Sequence, residues 1–162
     1  MAIDTEDRTV LSNIARAASE YGCDGTALLA AAGIDPDDAQ EPDSRISVVA
    51  HQRLWRLAID RTDNPCLAIK VGEALPPGAI HGLGLGWLAS DTLKSALERL
   101  VRFQRLVSTN ADIQLTETND CYELIGQPRR TPKNFEPASA DALMVLTLRL
   151  CRLALSESLT SR

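Results

Sequence analysis

The sequence is poor in the residues from which metal sites, disulfide frameworks and phosphate-binding surfaces are made. Its four cysteines, Cys23, Cys66, Cys121 and Cys151, stand singly, with no C-x-x-C pair and no clustered His or Asp. That pattern excludes a structural zinc site and a disulfide scaffold, and the thiols read as four small buried hydrophobes. With only two histidines, His51 and His81, a small enzyme would have to pair one of them with Cys66 or Cys121. Nothing like G-x-S-x-G or a catalytic cysteine context accompanies them, so no catalytic residue, metal or cofactor is assigned. Excess positive charge is missing too: the formal charge is −5, the wrong sign for a surface that neutralises phosphates. No run approaches the roughly 18 apolar residues of a membrane span, and the opening MAIDTEDRTV has acids where a signal peptide needs an apolar core. These absences predict a cytoplasmic chain, free of membrane, that is not itself a DNA reader.

What is present suits a globular domain. Hydrophobic residues make up 44% and charged residues 24% of 162 positions, enough for one domain with a real core. Val10, Leu11, Ile14, Ala17, Ala18 and Tyr21 recur at helical spacing and predict a helix stopped by Gly22. Asp24 caps a second, Thr26 to Ala32, closed by Gly33 and Ile34. Asp35-Pro36 restarts a short helical turn, and Gln40 to Arg45 is a polar connection. Ser47 opens a helix from Val48 to Arg61 that buries His51, Leu54, Trp55, Ala58 and Ile59, the histidine reading first as a hydrogen-bonded core residue. Asn64-Pro65 starts another helix, Cys66 to Leu75, which Pro76-Pro77-Gly78 ends.

The stretch from Gly82 to Ser108 organises the chain. Gly82, Gly84 and Gly86 imitate a dinucleotide-binding loop, but no strand precedes them and Trp87 stands where the third glycine of G-x-G-x-x-G belongs. Glycine costs a helix about 1 kcal/mol relative to alanine, so a short helix here must be held by tertiary contacts. Gly82 and Gly86, one turn apart, would press it against a neighbour or leave room for a small molecule. Ser90 is the expected N-cap of the next helix, with Asp91 at the positive end of the dipole. Leu93, Ala96, Leu97, Leu100, Val101 and Val107 form its buried face. Lys94, Glu98, Arg99, Arg102 and Arg105 form the other, with Glu98 and Arg102 spaced for a surface ion pair.

The period then changes. Residues 113–117 and 121–126 alternate around Asn119-Asp120, predicting a type I′ hairpin that pairs Leu115 with Leu124, Thr116 with Glu123 and Glu117 with Tyr122. A lone hairpin is marginal in water, so it should join further strands or lie on the helices. Gln127 to Asn134 is a basic, proline-broken loop that reads as ordinary solvation. From Pro137 to about Leu155 runs a long helix with few polar positions in its second half, Thr147, Arg149 and Arg152. Such a helix must be covered on nearly every side, by its own domain or by another subunit. The fold class is α+β and predominantly helical: a helical bundle with a small antiparallel hairpin and a long C-terminal helix.

The order G-L-G-L-G-W-L-A-S-D-T-L-K-S-A-L-E-R-L-V-R-F-Q-R-L, preceded by P-D-S-R-I-S, H-Q-R-L-W and N-P-C-L-A-I-K-V-G, resembles the N-terminal effector domain, called arabinose-binding-like, of AraC-type bacterial transcriptional regulators. The resemblance covers most of Leu28 to Arg152. Asp91 and Ser47 stand where that family often has proline, and both suit a helix start. The resemblance implies that residues 1–162 are a single effector-binding and dimerisation domain, truncated before the helix-turn-helix units that would bind DNA. Within it, His51, Trp55, His81 and Trp87 combine apolar bulk with polar tips and, with Arg102 as an anion partner, are the candidate ligand-binding set. Leu143, Leu146, Leu150 and Leu153 are the candidate dimer contacts. A pure assembly module without ligand is the alternative, and the identity of an effector is not written in the sequence.

Overall fold

The computed structural model describes residues 5–7, 9–37, 45–109, 111–128 and 136–155. Two short strands, β1 (Thr5–Asp7) and β2 (Arg45–Ser47), pair antiparallel, with Glu6 opposite Ile46. The first four helices are α1 (Thr9–Ser19), α2 (Gly25–Ala32), α3 (Val48–Thr62), which packs against both strands, and α4 (Leu67–Ala74). A 3-10 turn (Pro77–Ile80) leads into α5 (Gly82–Leu88) and α6 (Leu93–Phe103). The hairpin of β3 (Ala111–Glu117) and β4 (Tyr122–Pro128) then precedes α7 (Ala138–Leu155). The class is the one the sequence predicts; the β1–β2 pair is additional. Among the described residues no helix is long and apolar enough to cross a membrane.

Local chemistry sets most boundaries. Asp24 accepts a hydrogen bond from Ala27 N–H and Ser47 from Ala50 N–H, so both caps act where the sequence places them. Gly33, at φ 79°, ends α2 while Ile34 N–H reaches back to Leu29 O. Asn64 Oδ1 accepts from Cys66 N–H ahead of α4. The expected cap of α6 is corrected. Ser90 donates to Gly86 O at the end of α5, and the cap is Thr92, joined with Ser95 in a reciprocal capping box. Asp35-Pro36 forms a turn, with Asp37 N–H donating to Asp35 Oδ1. The Gln40 to Arg45 connection, apart from Arg45, and most of the basic loop lie outside the described residues.

The core gathers Leu11, Ile14, Leu28, Leu54, Trp55, Trp87, Leu100 and Leu146 from six helices, and Leu67 and Val71 of α4 join them. Three expected details differ. Tyr21 is exposed, because the helix stops before it at Ser19. None of the four cysteines is fully buried: Cys66 and Cys121 are exposed, each in a connection and not on a packed face, and Cys23 and Cys151 are half-buried. Glu98 and Arg102 do not pair: Lys94 instead bonds Glu117 on the hairpin at 2.6 Å, and Arg102 lies over the Phe103 ring.

The hairpin keeps the predicted register, Leu115 opposite Leu124 and Glu117 opposite Tyr122. Its turn is not type I′, for neither Asn119 nor Asp120 has positive φ. Thr118 closes it instead, through N–H to Cys121 O at 3.0 Å and a hydroxyl that also bonds Cys121. No further strand joins β3 among the described residues. The amide side chain of buried Gln104 occupies that edge, accepting from Ile113 N–H and donating to Ile113 O at 3.1 Å. It satisfies the backbone groups that a neighbouring strand would otherwise use.

The closest backbone approaches are at Gly84 and Gly72; on the Gly82–Gly86 face that spacing suggests, only Gly86 is tight, where a Cβ would lie 3.0 Å from Arg99 Cδ. A Cβ on Gly84 would lie 1.8 Å from Pro77 O, and one on Gly72 2.6 Å from Ala142 O. A Cβ on Gly82 meets nothing within 4 Å. Gly72→Ala and Gly84→Ala should therefore each destabilise the chain by about 3 kcal/mol or more, whereas Gly82→Ala should stay within about 1 kcal/mol of wild type. Urea unfolding of the three variants checks this; equal costs would contradict the packing described.

Candidate functional site

The spacing of α3 places His51 and Trp55 one turn apart, with Gln52 beside them. All three side chains are buried, and together they line a cavity of about 310 Å³. α7 contributes Ser139, Ala142, Leu143 and Leu146 to it, and the open end of the hairpin contributes Ala111, Ile113, Gly126 and Pro128. Val10, Leu75, Ile80, Val107 and Ser108 complete much of the wall. No Asp, Glu, Lys or Arg is among the described lining residues. Such a space, apolar with a few fixed polar groups, has the character of a small-molecule site.

Those polar groups are mostly committed to one another. Gln52 donates to Ser139 Oγ at 3.4 Å and accepts from Glu136 N–H, tying α3 to the start of α7. Ser108 Oγ accepts from Ala111 N–H at 3.2 Å. Trp55 Nε1–H donates to His51 Nε2 at 3.2 Å, with the rings edge to face at 6.3 Å. Because Nε2 is the acceptor, the proton of the neutral imidazole resides on Nδ1. Nδ1 is buried and has no hydrogen-bond partner. Burial also disfavours the charged ring, pushing the His51 pKa down to about 4. At neutral pH the ring beside the cavity is therefore uncharged.

The sequence-chosen residues divide. His51 and Trp55 meet at the cavity, while His81, Trp87 and Arg102 do not line it. His81, at φ 53° and ψ −145°, makes the bend between the 3-10 turn and α5. Trp87 is fully buried in the core with its Nε1–H unpartnered, and Arg102 is exposed on α6. Of the four leucines on the last helix, Leu143 and Leu146 line the cavity, Leu150 is buried within the chain, and Leu153 is 54% exposed. Neither Cys66 nor Cys121 lines the cavity with His51.

Sequence reasoning missed Gln52, Ser108, Ser139 and the end of the hairpin. Gln52 carried a signal: with Val48, Trp55 and Ile59 it occupies the helical stripe, a polar residue in a core position. The hairpin end gave none, because its approach to α3 and α7 is a long-range contact.

The His51 shift has a definite sign. Unfolded, the ring gains its proton near pH 6.5; folded, it resists protonation until about pH 4. Stability is therefore undiminished above pH 6.5 and falls as pH drops from 6.5 towards 4. Between pH 7 and pH 5 this one group should remove about 2 kcal/mol from the unfolding free energy. Urea titrations of wild type and His51→Gln at the two pH values isolate it, and an equal loss in both would remove His51 as the cause.

No curated protein matches the sequence. Residues 22–162 match the family described as the arabinose-binding domain of AraC transcription regulators, N-terminal. With that match extending over most of the 162 residues, the chain belongs to the N-terminal arabinose-binding domain family of AraC transcription regulators.

Proposed function

We propose that the chain is the sensor domain of an AraC-type transcription factor, and that its effector is a small molecule bound in the cavity between α3, α7 and the β3–β4 hairpin. The observation that carries this reading is the half-open, largely apolar space of about 310 Å³ lined by α3, α7 and the hairpin. Proteins pack their interiors tightly, so a space of that size is a feature to be explained by an occupant. The family is a class of regulatory domains rather than of enzymes, and the described lining residues give largely apolar walls with no nucleophile beside a base. Residues 1–162 act as one sensing unit in this reading. The negative charge of the chain leaves contact with DNA to another part of the regulator.

Gly126 provides the test. It lines the cavity, opposite Ile113, and a Cβ there meets nothing within 4 Å. Gly126→Phe should fill the space without disturbing the fold. Thermal-shift screening of small metabolites should find compounds that raise the wild-type melting temperature and leave the Gly126→Phe variant unmoved. An undiminished shift in a natively folded variant would place the effector elsewhere.

Assembly as a homodimer through α7 belongs to the same reading. Leu146 and Leu150 are engaged inside the chain, so the contact rests on exposed Leu153, 54% accessible. Leu153→Glu should lower the mass measured by light scattering; a folded variant of unchanged mass would exclude this face.

A further inference from the structure

The β4 side of the cavity selects among ligands. We propose that the ligand carries a primary carboxamide or a lactam on an apolar body, and that this amide pairs with the backbone of Gly126 as the Gln104 side chain pairs with Ile113. The assignment rests on the reading of the cavity as the sensor site.

In an antiparallel pair, opposed residues alternate between those that exchange hydrogen bonds with each other and those whose N–H and C=O point away from the partner strand. Ile113 is of the second kind, because the Gln104 amide takes both of its backbone groups beyond the edge of β3. Gly126 lies directly opposite Ile113, so its N–H and C=O point off the other edge, that of β4. Among the described residues no strand adjoins that edge and no group bonds these two, and Gly126 is exposed.

The lining identifies what this edge faces. β3 contributes Ala111 and Ile113 but not Asp112, the pattern of one strand face. β4 contributes Gly126, Gln127 and Pro128 in succession. Successive side chains point to opposite faces, so an unbroken run borders the space with main chain. Nothing inside the chain calls for the glycine. Its φ is not positive, the register around it has no bulge, and a Cβ there meets nothing within 4 Å. A strand glycine without those reasons marks a place where a ligand approaches the backbone.

The N–H and C=O of one strand residue lie side by side, so a partner must present an acceptor and a donor on one edge. A primary carboxamide does so through its oxygen and the N–H syn to it, which is how Gln104 holds Ile113. A lactam does so because its ring fixes a cis amide. An ester offers only the acceptor, and an ordinary secondary amide is trans, with its N–H and C=O opposed. The body of the ligand meets the largely apolar walls of α3 and α7 and gains from burial there.

Octanamide, N-methyloctanamide and methyl octanoate share one chain and differ only in this edge. Titrated by calorimetry at pH 7.5, octanamide should bind wild type about fivefold to tenfold more tightly than either analogue, the worth of one hydrogen bond. Gly126→Pro removes the N–H without touching the ladder to β3, whereas Gly126→Ala keeps it. Octanamide should bind the proline variant about fivefold to tenfold more weakly than the alanine variant. In nitrogen-15-labelled wild type the Gly126 amide proton should move downfield as octanamide binds. An analogue that matches octanamide on wild type, or octanamide that does not bind, would overturn the carboxamide assignment, and neither result depends on a variant folding. Equal affinity for natively folded proline and alanine variants, or an unmoved Gly126 amide, would overturn the role of Gly126. The sensor cavity has its own test in the metabolite screen: it stands if compounds of another class are blocked by Gly126→Phe, and falls if their shifts survive that substitution.

Discussion

The crossing of α4 and α7 at Gly72 and Ala142 fixes the rest of the molecule. The absence of a side chain at Gly72 lets the two backbones meet, with Ala142 O and Val145 filling the space a Cβ would need. Arg149, one turn beyond Val145, then donates to Gly72 O at 3.1 Å and Leu75 O at 2.7 Å, satisfying carbonyls at the end of α4 that the helix itself cannot. A long apolar helix is thereby seated in its own domain by one contact and one cap. The seat decides which residues of α7 face inward, and Ala142, Leu143 and Leu146 become the wall of the cavity. Leu75, at the end of α4, lines the same space.

Two neutral side chains do for the opposite walls what Arg149 does for α7. Gln104 holds β3 by both backbone groups of Ile113, so the hairpin lies on α6 without needing a third strand. Gln52 spans from α3 to the start of α7. In both cases a buried amide pairs with groups that would otherwise be orphaned, which costs little only because each partner is satisfied. His51 departs from this pattern. One nitrogen is matched by Trp55 and the other has no partner among the described residues.

Much of the fold was legible because it rests on local chemistry. Asp24, Ser47 and Gly33 mark helix ends through bonds within a few residues, and the cross-strand pattern fixed the hairpin register even though the turn type was misjudged. Ser90 was misread because three consecutive candidates, Ser90, Asp91 and Thr92, suit a cap, and the Ser95 hydroxyl that selects Thr92 is visible only in the box. The glycines show the limit more sharply. Spacing identifies which glycines share a helix face; it does not say which face meets Pro77. Two of the five candidate ligand residues meet at the cavity for a similar reason. His51 and Trp55 share a stripe of one helix, whereas His81, Trp87 and Arg102 were chosen for side-chain chemistry, which does not say where they meet, and Gly126 and Ser139 reach the cavity only through tertiary structure.

The cavity and the hairpin are coupled by their energetics. An isolated two-stranded hairpin is marginal in water, and this one is held by Gln104, by the exposed Lys94–Glu117 pair and by packing of Ile113. The exposed pair adds little, so the apolar side of the hairpin supplies most of its hold, and that side borders empty volume at Ile113 and Gly126. A ligand filling the volume would bury apolar surface on α3, α7 and the hairpin together, and would stabilise their packing in proportion to its occupancy. Small residues at Ala111, Gly126, Ala140 and Ala142 keep the space open at a cost in packing. In the proposed sensor that cost is functional: the hairpin's attachment is left weak enough for binding to strengthen it, which a close-packed core would not allow.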